Sequence, residues 1–219
     1  MSGLLRLART PALAVAAAAG AYWLGLRPWH LRWGATDAEV ARRWPGDELV
    51  VRPYARAVRA VTVAAPAERV WRWVMQVGRD RGGFYSYTWL ENLIGADIHN
   101  VYRPIPGLAE RQPGDTVWMG PPDRFGGMAR MVVAGVVPGR AMTLVPPGDA
   151  ERAAREGVAT GVWSFALEPA AGDATRLVML SLAARPRVAD LLFWEPAHFV
   201  MERKMMLTIK RLAEAGAAS

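Results

Sequence analysis

From about Val188 to Ala215 the sequence carries helical periodicity over roughly seven turns, about twice the length of an average globular helix. At about 100° per residue, Leu191, Phe199, Met205, Met206 and Ile209 fall on one face of that helix. Glu195, His198 and Glu202 fall within the same arc, whereas Lys204 and Arg211 lie on the other side. A helix this long needs a broad surface to cover. Three ionisable groups inside its apolar stripe must be paired, hydrated in a cavity or bound to something, because burying them alone is expensive.

The surface is supplied by the segments before it. After a Pro-rich loop, strand-like runs appear as DTVWM, MARMVVAGVV, RAMTLVP, GVWSFALEP and RLVMLSLAA, separated by turns at Pro138-Gly139 and Gly172-Asp173, which reads as an antiparallel meander. Upstream, Ala55 to Ala64 alternates well enough for one further strand. Pro66 then opens a helix whose Val70, Trp73, Val74 and Val77 form a single stripe ending at Gly78. A second short helix runs from Trp89 to Ile94, with Thr88 and Glu91 at capping-box spacing and Gly95 as its left-handed stop. The expected fold class is α+β: a curved antiparallel sheet with two short helices and a long C-terminal helix lying across its open face to enclose a cavity.

The chain has 219 residues, 52% hydrophobic and 21% charged, enough for one core with an appendage. The appendage is N-terminal. Thr10 to Leu26 runs without a charge behind Arg6 and Arg9, with Tyr22, Trp23 and Trp29 where interfacial aromatics belong. Residues 1–32 are therefore expected to be an uncleaved membrane anchor or a signal segment, with a buried Ala-rich helix as the alternative and neither membrane side specified. Residues 33–54 read as a linker containing a short capped helix, and 55–215 as the domain.

The formal charge of +7 is concentrated near the start: residues 1–60 hold nine basic and four acidic residues, the remainder eighteen and sixteen. A nearly neutral core argues against a nucleic-acid partner, and a basic segment beside an apolar run suits anionic lipid headgroups. With no cysteine, disulfides, thiol catalysis and cysteine-ligated metals are excluded.

The order of elements resembles the helix-grip fold of the SRPBCC superfamily. Within it, VWRWVMQVGRDRGGFYSYTWLENLIGADIH and EPAHFVMERKM are similar to an uncharacterised bacterial subgroup. That superfamily includes START-type lipid-transfer domains, plant pathogenesis-related allergens and polyketide cyclases or dehydrases. The resemblance covers roughly residues 55 to 215 and implies a cavity for a hydrophobic molecule, with no cofactor and no particular reaction.

Signatures for phosphate cradling, dinucleotide binding, a nucleophile elbow and zinc-protease chemistry are all missing. The candidate site residues are Glu195, His198 and Glu202 on the long helix, with Tyr85, Tyr87, Glu91, Asp97 and His99 from the stretch after Gly78. Glu202 has three readings: an ion pair with an arginine such as Arg79, Arg81 or Arg203, a pocket group that orients a ligand, or half of a metal site built on Glu195-x-x-His198. Glu195 also suits a helix start beside Pro196, and Tyr85, Tyr87 and Trp89 suit packing. The leading expectation is a membrane-tethered carrier of a hydrophobic small molecule or lipid. The rival is a cyclase or dehydrase that exchanges protons through His198 and a carboxylate, and a third reading is a partner-binding protein with a vestigial cavity.

Overall fold

The computed structural model describes residues 13–14, 17 and 19–215. Six strands form one antiparallel sheet: β1 (Ala55–Val63), β2 (Thr116–Trp118), β3 (Arg130–Val137), β4 (Ala141–Val145), β5 (Gly161–Pro169) and β6 (Thr175–Ala183). Their order across the sheet is β1-β6-β5-β4-β3-β2. The helices are α1 (Arg27–Leu31), α2 (Asp37–Ala41), α3 (Ala67–Met75), α4 (Thr88–Leu93), α5 (Ala150–Glu156) and α6 (Glu195–Ala215). The chain leaves β1 through α3 and α4 and returns along the β2 to β6 meander, which brings β6 back to β1 with Ala55 opposite Ala183 and Val63 opposite Thr175. This is the helix-grip arrangement that the resemblance implies, with α6 against the inner face of a curved sheet.

Both faces of the sheet are covered. On β1, Val61 and Val63 join the inner core with Val70, Val74, Met206 and Ile209, while Val58 and Ala60 join an outer core with Val178 and Leu180 of β6. That double burial is why the strands read as nearly continuous apolar runs instead of a strict alternation.

Residues 33–50 supply much of the outer cover. Trp44 and Val50 are buried there, and Ala150 and Ala153 of α5 pack beside them. The Trp44 indole N–H donates to Glu39 O at 2.8 Å beneath the Arg42 guanidinium. The short capped helix expected here is α2, where the Thr36 hydroxyl accepts from Glu39 N–H and Glu39 accepts from Thr36 N–H. Glu39 also receives the Arg176 fork from β6, which holds its carboxyl down at about 2. At Gly34, φ is +72° and a Cβ would sit 2.2 Å from Ala60 O, so glycine is required for this segment to meet β1.

The membrane-anchor expectation is corrected. Among the described residues no helix is long and apolar enough to cross a membrane. Arg6, Arg9 and part of the charge-free run lie outside the described residues. The described end of that run docks on α6 and the π-turn before it: Tyr22 O–H donates to Leu191 O at 3.0 Å, Arg27 forks onto Glu195 at 2.8 and 2.9 Å, and buried His30 stacks on Phe199. Aromatics expected at a lipid interface are in part domain contacts.

Two local expectations also change. Thr88 is the first residue of α4, not its cap, and no side chain caps that helix; Gly95 does take the left-handed conformation expected of it, at φ +78°. The long terminal segment begins with a π-turn over Asp190–Trp194 before regular α6 starts. The face assigned to α6 is otherwise the one buried, since Phe199, Glu202, Met205, Met206 and Ile209 all lie inside.

Trp44→Ala opens a hole in the outer core and is expected to cost about 3–5 kcal/mol of unfolding free energy, measured by urea titration of the full chain. A loss below about 1 kcal/mol would mean that residues 33–50 do not stabilise the sheet.

Candidate functional site

A cavity of about 720 Å³ lies between the inner face of the sheet, the 84–98 segment and α6. Its apolar lining includes Phe84, Ile98, Met119, Met131, Trp163 and Met205. Polar side chains enter it in two groups, one on the sheet and α6 and one on the 84–98 wall.

The first group centres on Glu202, which is 1% exposed. One carboxylate oxygen accepts from the Trp163 indole N–H at 2.7 Å and from Ser181 O–H at 2.8 Å. The other pairs with Arg59, also 1% exposed, whose Nε donates to His30 O at 2.8 Å. His198 Nε2 lies 3.5 Å from Glu202 Oε1. Burial pushes the Glu202 carboxyl up, but His198, Arg59 and Ser181 outweigh it and the net direction is down. His198 is moved below its ordinary value by burial, with Glu202 opposing and Arg59 adding to the effect. At neutral pH the site therefore holds an ionised carboxylate and a neutral imidazole.

The second group is Ser86 and Glu91. Both line the cavity, both are at least nine-tenths buried, and among the described residues neither the Ser86 hydroxyl nor either Glu91 oxygen has a protein hydrogen-bond partner. Burial alone pushes the Glu91 carboxyl up to about 7.

The other expected site residues are placed as follows. Glu195 lines the cavity, but its carboxylate is gripped by Arg27 and has His30 Nε2 3.8 Å away. Tyr85 is fully buried behind the lining at φ +55°, its hydroxyl accepting from Gln76 at 2.8 Å, and burial pushes its phenol up to about 12. Tyr87 lies half-buried beneath the Lys204 ammonium. Asp97 and His99 sit at the exposed surface, where Asp97 pairs with Arg79 and His99 Nε2 is 3.0 Å from its carboxylate. No three His, Asp or Glu side chains gather into a metal-binding group among the described residues.

Gly78 to Gly83 form a closed loop through paired backbone bonds at 3.0 and 2.9 Å. A Cβ at Gly82 would meet the Tyr85 hydroxyl at 2.4 Å, so the glycine pair lets the chain turn tightly over the buried phenol. This turn serves packing first, and sends Phe84 and Ser86 inward to the cavity.

Arg59 was not singled out from the sequence, although its parity along β1 with Val61 and Val63 puts it on the inner face. Trp163 and Ser181 share that face on β5 and β6, where they sit opposite each other. Ser86 carries no local signal.

No family model matches the chain, and no curated protein matches it. Among solved structures, the Aha1 dimer from Colwellia psychrerythraea is similar at 16% identity and a TM-score of 0.43, over 74% of this chain and 98% of that one. The protein encoded by gene BPP1335 from Bordetella parapertussis is similar at 22% identity and 0.40, over 77% and 80%. The Polyketide_cyc-like protein Cgl2372 from Corynebacterium glutamicum is similar at 15% and 0.38, over 74% and 93%. None of these likenesses assigns an activity to this chain.

Arg59→Met strands a buried carboxylate and is expected to destabilise by about 3–5 kcal/mol, while Arg59→Met with Glu202→Leu recovers most of that loss in a double-mutant cycle read by denaturant unfolding. Additive losses would show that the pair does not act as a unit. For Glu91, raised to about 7 from 4.5, the fold favours the protonated form. That contribution is complete below pH 4.5 and lost as pH rises through about 7. Glu91→Gln should flatten the fall of thermal stability across this window, and an unchanged slope would mean the carboxyl is hydrated.

Proposed function

We propose that the protein binds or transfers a hydrophobic small molecule or lipid in its internal cavity, with residues 55–215 as the binding unit and without catalysing a reaction. The observation that carries this reading is the cavity itself. Packed cores leave few voids larger than a water molecule, and a space of about 720 Å³ lined by Phe84, Ile98, Met131, Val162 and Met205 falls in the range of small-molecule sites. Apolar ligands gain by leaving water for such walls.

Support for a non-catalytic role comes from the Glu202 cluster. A general acid or base needs a free lone pair or proton within reach of substrate. Glu202 has its oxygens committed to Arg59, Trp163 and Ser181, so it acts as an anchor between α6 and the sheet. The enzyme reading keeps one favourable observation: His198 lines the cavity as a neutral imidazole 3.5 Å from that carboxylate, which suits a base.

Native mass spectrometry on the full chain, purified gently, tests the carrier reading. A discrete added mass that is lost on denaturation, and absent from an Ala57→Phe variant that fills the cavity, is expected. His198→Ala should retain the same mass. A clean mass in the wild type together with failure of any apolar probe to bind would overturn the proposal, and chemical conversion of a bound probe that depends on His198 would favour the enzyme.

A further inference from the structure

The cavity's polar groups are unequally provided for. On the sheet and α6 side, each oxygen of Glu202 has a donor, and the Glu195 carboxylate is held by Arg27. On the 84–98 wall, Glu91 and Ser86 have none among the described residues. Burying a carboxyl and a hydroxyl without partners is costly, and such groups in a cavity wall mark the place where something else completes the hydrogen bonds. The two residues come from one short segment, Ser86 just before α4 and Glu91 within it, so they share a wall with Phe84, Ile94, Ala96 and Ile98.

We propose that Glu91 and Ser86 are the head-group subsite of this cavity and that its ligand is an apolar alcohol or phenol, whose hydroxyl donates to the Glu91 carboxyl and accepts from the Ser86 hydroxyl. This inference rests on the cavity reading above and narrows it to one ligand chemistry. A hydroxyl complements the carboxyl in either protonation state, since it both donates and accepts. An ester offers no donor. A carboxylate head brings a negative charge to an apolar wall that, among the described residues, holds no cation beside Glu91, and once Glu91 is ionised the repulsion is poorly screened. Around these two groups Ile94, Ala96, Ile98, Met119, Met131 and Met205 offer apolar walls that suit a hydrocarbon body.

Among the described residues Arg130 is the competing group in the lining. It lines the cavity and its Nε has no partner, so a carboxylate-headed ligand seated there is the competing outcome. Its guanidinium lies over the Trp118 ring, 5.5 Å from the centroid, and the residue is only partly buried, so solvent and the ring provide for its charge as they do not for Glu91.

The test titrates dodecanol, methyl dodecanoate and dodecanoate into the full chain, with occupancy read by native mass spectrometry. Dodecanol is expected to bind roughly 10-fold or more tightly than the ester. Glu91→Leu should bring dodecanol down to the ester's affinity while leaving the ester unchanged. Because Glu91→Leu also removes an unpaired buried acid, the empty variant should unfold at a higher temperature than the wild type above pH 7, and a merely structural Glu91 would give the opposite shift with the alcohol preference intact. Should Glu91→Leu fail to fold, Ser86→Ala gives the second readout, a several-fold loss for dodecanol alone. Equal affinities for all three ligands overturn the subsite and leave the cavity reading standing. Tightest binding of dodecanoate, lost in Arg130→Met, overturns it in favour of the rival. Failure of every ligand to bind overturns both readings together.

Discussion

The ion pair between Arg59 and Glu202 is the constraint around which the inner face is organised. Each partner is almost wholly removed from water, and neither is tolerable without the other. Arg59 fixes β1 to the backbone of His30, and through Glu202 it fixes α6; the same carboxylate gathers Trp163 and Ser181 from two further strands. Five elements, β1, β5, β6, α1 and α6, thus meet at one charged point. A cluster of this kind sets where α6 crosses the sheet with directional bonds, which an apolar contact cannot do, and so holds the cavity open beside it instead of letting the helix settle into it.

The N-terminal segment is part of the same logic. α1 sits against the start of α6, where Arg27 holds Glu195 and His30 stacks on Phe199. Residues 33–50 then cross to the other side of the sheet and bury Trp44. One continuous stretch therefore touches both the helix that grips and the outer face of the sheet that is gripped.

What the sequence made legible follows period and parity. The α6 stripe was readable because Glu195, His198 and Glu202 fall in the arc of Phe199 and Met206, and the strand runs were readable from their turns. The Glu202 partner was not, because spacing along one helix says nothing of a strand 143 residues away, and Arg79, Arg81 and Arg203 suit a carboxylate by sequence as well as Arg59 does. Glu91 stands at capping-box spacing from Thr88, but the helix starts one residue too early for that bond, at Thr88 itself, and the carboxyl is left to the cavity. The N-terminal run looked like a lipid-facing span because hydropathy counts side chains and takes no account of an Arg27 that finds a carboxylate on α6. Asp97 and His99 share a face as expected of residues two apart, yet Arg79 draws them to the surface.

The pairing of the first strand with the last has a consequence for synthesis. When β1 leaves the ribosome, its hydrogen-bonding partner β6 and the carboxylate that neutralises Arg59 are still more than a hundred residues from being made. Until then the strand holds an uncompensated cation on one side and Val58 with Ala60 on the other, with only the preceding 33–50 stretch at hand to shelter it. The meander can assemble outward from its local hairpins in the meantime, since β2 through β6 pair with sequence neighbours. Closure then waits for α6, which carries Glu202, so that the nascent chain encloses its interior only after that helix has been made.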